Sequence, residues 1–199
     1  MIIGIDFDNT IVDYTGVFFQ AARQSDLIPE NIDQSKSGVK SYFINNDRER
    51  DWTILQGKVY GTCMNLAKPY TGIDALFQFF DANAIPYFIV SHKTKHPIIG
   101  PPHNLHAAAT SFLEKNLFFS RFQLSKEQVY FEPNMESKSS RIERLGCTHF
   151  IDDLEKFLCH ESFPTSCKKL HFDPGQKSRQ KLSFASHAEI LNYIKDSHE

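Results

Sequence analysis

The sequence predicts an α/β chain, with a parallel sheet flanked by helices and a small α-helical insertion after the first strand. Three observations carry this. Short apolar runs without alternation recur at Ile2–Ile5, Tyr87–Val90 and His149–Ile151, the form of strands buried on both faces. Helical periodicities lie between them, as βαβ units require. Finally, about 80 residues separate Asp6 from Tyr87, where one crossover takes roughly 30.

Taken in order, Ile2–Ile5 is a strand stopped by Asp6. The interval from Tyr14 to Lys68 is polar and reads as helical over Val17–Asp26, Val39–Asn46 and Arg48–Met64, with no convincing strand. Gly72–Asn83 places Ile73, Leu76, Phe77 and Phe80 at helical spacing and supplies the crossover itself. Tyr87–Val90 is a strand stopped by Ser91 and His92, and Leu105–Asn116 is an Ala-rich helix. Val129–Phe131 and Lys169–Phe172 are weaker strand candidates. Ser139–Leu145 is a short helix stopped by Gly146. His149–Ile151 is a strand ending in Asp152 and Asp153, and Ala185–Lys195 closes the chain as a helix. The domain division expected from this pattern is a core of residues 1–13 and 69–199 with an insertion of 14–68.

Composition bounds the function. At 199 residues the chain has room for one ordinary domain and a small appendage. Its 22 basic and 24 acidic residues leave a net charge of −2, which gives no reason to expect nucleic acid as a partner. No apolar run approaches the roughly 18 residues of a membrane span, and Met1 leads directly into a strand pattern rather than a signal-type segment. Cys63, Cys147, Cys159 and Cys167 are scattered without a C-x-x-C pair, so a reduced cytoplasmic location is expected. The 18 Phe residues predict a core packed with large rings.

Ligands of open α/β sheets bind beyond the carboxyl ends of the strands, and three strands here end in polar residues. The first delivers Asp6, Asp8 and Thr10, the second Ser91, and a later one Asp152 and Asp153. If these strands are neighbours, four carboxylates converge. Like charges in a partly desolvated volume repel, and the remedy is a cation. An all-oxygen donor set with no cysteine nearby suits Mg²⁺ better than Zn²⁺, and Mg²⁺ held by carboxylates suits a phosphoryl ligand. Lys138 precedes the Ser139–Leu145 helix, where the helix dipole disfavours a cation. A local rule broken at a helix start points to function.

These residues resemble the four motifs of the haloacid dehalogenase (HAD) superfamily. Asp6-Phe7-Asp8-Asn9-Thr10, Ser91, Lys138 and Asp152-Asp153 stand in the family's order over about residues 1–160. The resemblance implies a Rossmann-like sheet, a cap formed by 14–68, and an aspartyl-phosphate mechanism. Asp6 would be the nucleophile, Asp8 the general acid and base, and Lys138 a neutralising cation. Thr10 and Ser91, with the neighbouring His92, would bind the phosphoryl group. Mg²⁺ would be held by Asp6, Asp152 and the backbone carbonyl of Asp8, with Asp153 acting through water or orienting Lys138. Dehalogenase and P-type ATPase members lack an acid/base Asp at the position of Asp8, so the resemblance implies a phosphatase of small phosphorylated metabolites. Transfer to another acceptor and a non-catalytic binding module remain the alternatives.

His92, His96, His103 and His106 fall within 15 residues, but the zinc loops of some related phosphatases rely on cysteines. Substrate contact through His92, Lys93 or Lys95 is therefore favoured. In the insertion, Arg48, Arg50, Trp52 and Tyr60 could reach a substrate, although Trp52 and Tyr60 fit its core better. The basic stretch Lys177–Lys181 reads as a solvated loop. Neither the substrate nor the oligomeric state is legible.

Overall fold

The computed structural model describes residues 1–178 and 182–198. Arg179, Gln180 and Lys181 of the basic stretch lie outside the described residues. In chain order the elements are β1 (Ile3–Ile5), β2 (Val12–Asp13), α1 (Val17–Arg23), α2 (Lys36–Asn45), α3 (Glu49–Val59), β3 (Lys68–Pro69), α4 (Ile73–Ala82) and β4 (Tyr87–His92). There follow α5 (Leu105–Lys115), α6 (Phe118–Arg121), β5 (Val129–Glu132), α7 (Met135–Arg144), β6 (His149–Asp152), α8 (Glu155–Leu158), β7 (Lys168–Phe172), β8 (Ser183–Phe184) and α9 (His187–His198).

The sheet is six-stranded with order β5-β4-β1-β6-β7-β8, and its pairings are parallel. This is the expected α/β, Rossmann-like architecture with helices flanking the sheet. β1 lies at the centre because the chain builds β4 and β5 on one side before crossing to β6 on the other. Ile5 faces Ile89 of β4 and Ile151 of β6, so Asp6 and Asp152 leave adjacent strands side by side. β1 is buried throughout, which explains its unalternating apolar sequence. Gly4 is required by close approach, since a Cβ there would meet Cε2 of Phe150 at 2.8 Å.

The rings fill the core as their number suggested. Phe7, Phe77, Phe80, Phe118, Phe150, Phe157 and Phe172 are all fully buried. In α4 the predicted positions Ile73, Leu76, Phe77 and Phe80 form the buried face, where Phe77 meets Tyr87, Phe118 and Phe122, while Phe79 meets His198 of α9. Around β6, the buried cluster of Val90, Ile142, Phe150, Phe157, Leu158 and Phe163 lies beneath α7 and α8.

α7 corrects the expected helix. It begins at Met135 rather than Ser139, because the Asn134 side chain caps it by accepting from Ser137 N–H at 2.8 Å. Lys138 therefore sits inside the first turn, its N–H donating to Asn134 O at 3.1 Å. The interval before Gly72 also holds two very short strands, β2 and β3, which pair in a separate two-stranded sheet.

By its contacts the chain divides into two compact units, one of residues 1–12, 69–93 and 117–199, the other of 13–68 and 94–116. The second is helical, and Phe18 stacks on Trp52 in its interior with ring centroids 5.2 Å apart. Segment 94–116, including α5, groups with 13–68 for a local reason. Gly57 and Gly61 let the segment approach so closely that a Cβ at either would meet Pro97 at 2.7 Å or His103 at 3.0 Å.

Candidate active site

Everything in this site belongs to the sheet-bearing unit. As β1 ends, Asp6 keeps its backbone tied to β6 through an N–H···O bond to Ile151 at 2.9 Å, and its side chain enters a volume where the residue is 5% exposed. The chain then folds back sharply. Asn9 adopts the left-handed region at φ 59°, a conformation Asn tolerates better than most residues. The N–H groups of Ile11 and Val12 both donate to Phe7 O at 3.0 Å. This turn brings Thr10 down into the interior, fully buried, where its Oγ1 accepts from Asp153 N–H at 3.1 Å. The loops after β1 and β6 are thereby joined.

Lys138 lies between two of the carboxylates. Its Nζ donates to Asp6 Oδ1 and to Asp152 Oδ2, each at 2.6 Å, and it rests 4.3 Å from the centroid of the Phe157 ring. The other oxygen of Asp152 accepts from Leu154 N–H at 2.8 Å. Burial disfavours a charged amine here, but Asp152 and Asp6 outweigh it and hold Lys138 above its ordinary pKa. Asp6 is pushed up to about 7, first by burial, with Asp152 and Asp8 adding to the rise and Lys138 opposing it.

Oxygens of Asp6, Asp152 and Asp153 lie within 4.8 Å of one another. Ligands on opposite sides of Mg²⁺ are about 4.2 Å apart, given metal–oxygen distances of about 2.1 Å. The spacing, the all-carboxylate chemistry and the raised Asp6 all fit a hard divalent cation. Asp8 does not join this cluster through its side chain, whose Oδ2 lies 2.7 Å from Lys93 Nζ. Asp153 is oriented by its backbone, since its carbonyl accepts from His171 Nε2 at 3.1 Å. That leaves Nδ1 of His171 to accept from the Ser183 hydroxyl at 3.1 Å.

Ser91 ends β4 as a buried hydroxyl, 1% exposed, on the strand next to Asp6. His92 stands apart from this set of contacts. It is exposed, and its Nε2 donates to Pro133 O at 3.1 Å. The sequence missed the ion pair between Lys93 and Asp8, although strand parity held a signal for it. Lys93 is two residues beyond Ser91, and both are buried. In the helical unit, Tyr60 OH accepts from Lys36 Nζ at 3.0 Å. Arg48 is engaged with Asp51 at 2.7 Å and the Leu27 carbonyl at 2.8 Å, while Arg50 and Lys95 are exposed.

Comparison with family models finds no match, and none is found among curated proteins. Solved structures do match. A HAD-superfamily hydrolase from Ehrlichia chaffeensis aligns over 100% of this chain and 97% of its own, with TM-score 0.55 and 17% identity. A HAD family hydrolase from Deinococcus radiodurans, with bound phosphate and sodium, aligns over 99% and 96%, with TM-score 0.56 and 14% identity. A dehalogenase aligns over 96% of each chain, with TM-score 0.55 and 10% identity. At such identities the likeness is one of fold, and the fold is that of HAD-superfamily hydrolases. No helix among the described residues is long and apolar enough to cross a membrane.

Proposed function

We propose that the protein is a Mg²⁺-dependent phosphatase hydrolysing a small phosphorylated metabolite through an aspartyl-phosphate intermediate. The observation that carries this reading is Asp6 at the end of β1, held by Lys138 within a cluster of carboxylates, with Asp8 two residues further on. An oxygen of Asp6 attacks phosphorus as the bond to the leaving oxygen breaks, and Asp8 delivers a proton to that oxygen. Asp8 then takes a proton from water, which attacks phosphorus and releases both Asp6 and inorganic phosphate. Lys138 offsets the charge gathering on the nucleophile and the transferring group. Thr10 and Ser91 bind the phosphoryl oxygens, with His92 the more distant candidate. A bound Mg²⁺, on Asp6, Asp152, Asp153 and the Asp8 carbonyl, would neutralise phosphoryl charge. Residues 14–68 serve as the cap that selects substrate.

A dehalogenase shares the fold, and Asp8 favours the phosphatase over it. An alkoxide leaving group needs a proton, whereas a halide does not. Transfer to an acceptor other than water uses the same residues and differs in how far water is excluded. The test is phosphate release from a metabolite panel with and without Mg²⁺, using wild type beside Asp6→Asn. Mg²⁺-dependent release that the variant loses is expected, since an amide is a poor nucleophile. Undiminished release by the variant would refute the mechanism, and competing alcohols that divert the phosphoryl group would identify a transferase.

A further inference from the structure

We propose that Lys93 is a positioning residue for Asp8, holding its carboxylate where it exchanges protons with the leaving oxygen and the attacking water. The proposal rests on the phosphatase reading above. Lys93 Nζ lies 2.7 Å from Asp8 Oδ2, and the lysine side chain is 3% exposed against 18% for the aspartate. An exposed pair of this kind holds little, because solvent screens it and two long side chains must be ordered. A buried ammonium in a fixed setting differs, because its partner has a defined place to sit.

Three features fix that ammonium. Lys93 N–H donates to Glu132 O at 2.9 Å, extending the ladder between β4 and β5 one residue past His92. Glu132 accepts from Arg141 Nε at 2.7 Å, and the Arg141 guanidinium lies 4.4 Å from the centroid of Tyr130. The Phe7 ring supports the ammonium at 5.7 Å and is itself held by Phe131, edge to face at 6.0 Å. Lys93 thus reaches Asp8 from an anchored sheet position. Asp8 stands three residues beyond the end of β1, in the turn with Asn9 at φ 59°, where its backbone forms an isolated bridge with Val12.

The carboxylate of Asp8 works in the chemical steps, so losing its orientation should lower kcat and leave KM nearly alone. Misplacing a catalytic group by about 1 Å costs on the order of 100-fold. Lys93→Met, which keeps the aliphatic stem, is expected to lower kcat about 10- to 100-fold with KM within about threefold. Lys93→Arg, which keeps a cation, should recover most of kcat. Asp8→Asn combined with Lys93→Met should be no slower than Asp8→Asn alone, as expected of residues acting through one another.

The experiment measures kcat and KM of these variants with Mg²⁺ on p-nitrophenyl phosphate and on a simple alkyl phosphate, beside a crystal structure of Lys93→Met. The penalty should be larger on the alkyl phosphate, whose leaving oxygen depends more on a delivered proton. A raised KM with kcat preserved would overturn the proposal by making Lys93 a substrate ligand. So would multiplicative losses in the double variant, an Arg variant as slow as the Met variant, or an Asp8 carboxylate that keeps its place in the crystal structure. If wild type releases no phosphate from either compound, the phosphatase reading fails separately. The crystal structure still decides whether Asp8 depends on Lys93.

Discussion

Replacing Asp6 with Asn in protein freed of divalent cations should make the protein more stable at neutral pH. Burial raises Asp6 from 3.8 to about 7, so between those values the folded state takes up a proton that the unfolded chain does not. Its contribution is therefore fully present below about 3.8 and is lost as pH rises through about 7. At about 1.36 kcal/mol per pH unit, that interval amounts to roughly 4 kcal/mol. For a chain of this size it corresponds to roughly 10 °C in Tm. The amide does not titrate, so the stability of Asp6→Asn relative to wild type should climb by this amount from pH 4 to pH 8. Lys138 adds no slope here, because its raised pKa stabilises at all pH values below its ordinary 10.5. The buried His149 and His187, each lowered to about 4, cancel in the difference. The assay is thermal or urea denaturation of both proteins in a chelator at intervals from pH 4 to pH 8, repeated with excess Mg²⁺. The cation should stabilise wild type far more than the variant at pH 8 and flatten the difference. Parallel stability curves across this range, or equal stabilisation of both by Mg²⁺, would refute the electrostatic account of the site.

Gly4→Ala should destabilise by about 1–3 kcal/mol, read as a lowered Tm, because the new methyl collides with the Phe150 ring beneath β1. Asn134→Ala should cost about 1 kcal/mol as a lost helix cap and also lower kcat, since Lys138 stands in the turn that Asn134 caps. His187→Phe should resist acid better than wild type. The imidazole of His187 is 1% exposed and stacks on Phe172, so its stabilisation, full above 6.5, is lost as pH falls through about 4. Urea midpoints at pH 4.5 and 7 should therefore lie closer together in the variant.

Much of the site was legible because it lies where strands stop. Asp6, Ser91 and Asp152 each follow an apolar run, and a parallel sheet sends the ends of such runs to one edge. Thr10 was found with Asp8 by spacing, and Lys138 by its conflict with the helix dipole. The helix around Lys138 was read too short because Met135 to Lys138 carry little apolar periodicity. The signal that starts it is the Asn134 cap, a single side-chain hydrogen bond. The grouping of segment 94–116 with the insertion was not legible, since it depends on Gly57 and Gly61 admitting a distant stretch of chain.

By itself the sequence determined which residues could be strands, which carboxylates and hydroxyls close them, and hence what chemistry is available. These are local properties, set by burial periodicity and by the identity of the residue where a run ends. The tertiary structure alone decided which partner each charge has. Lys138 bridges Asp6 and Asp152, while Lys93 takes Asp8. Those pairings follow from the order β4-β1-β6 and its register, because a charge selects its partner by distance in space, and that distance is set only when strands far apart in sequence lie side by side.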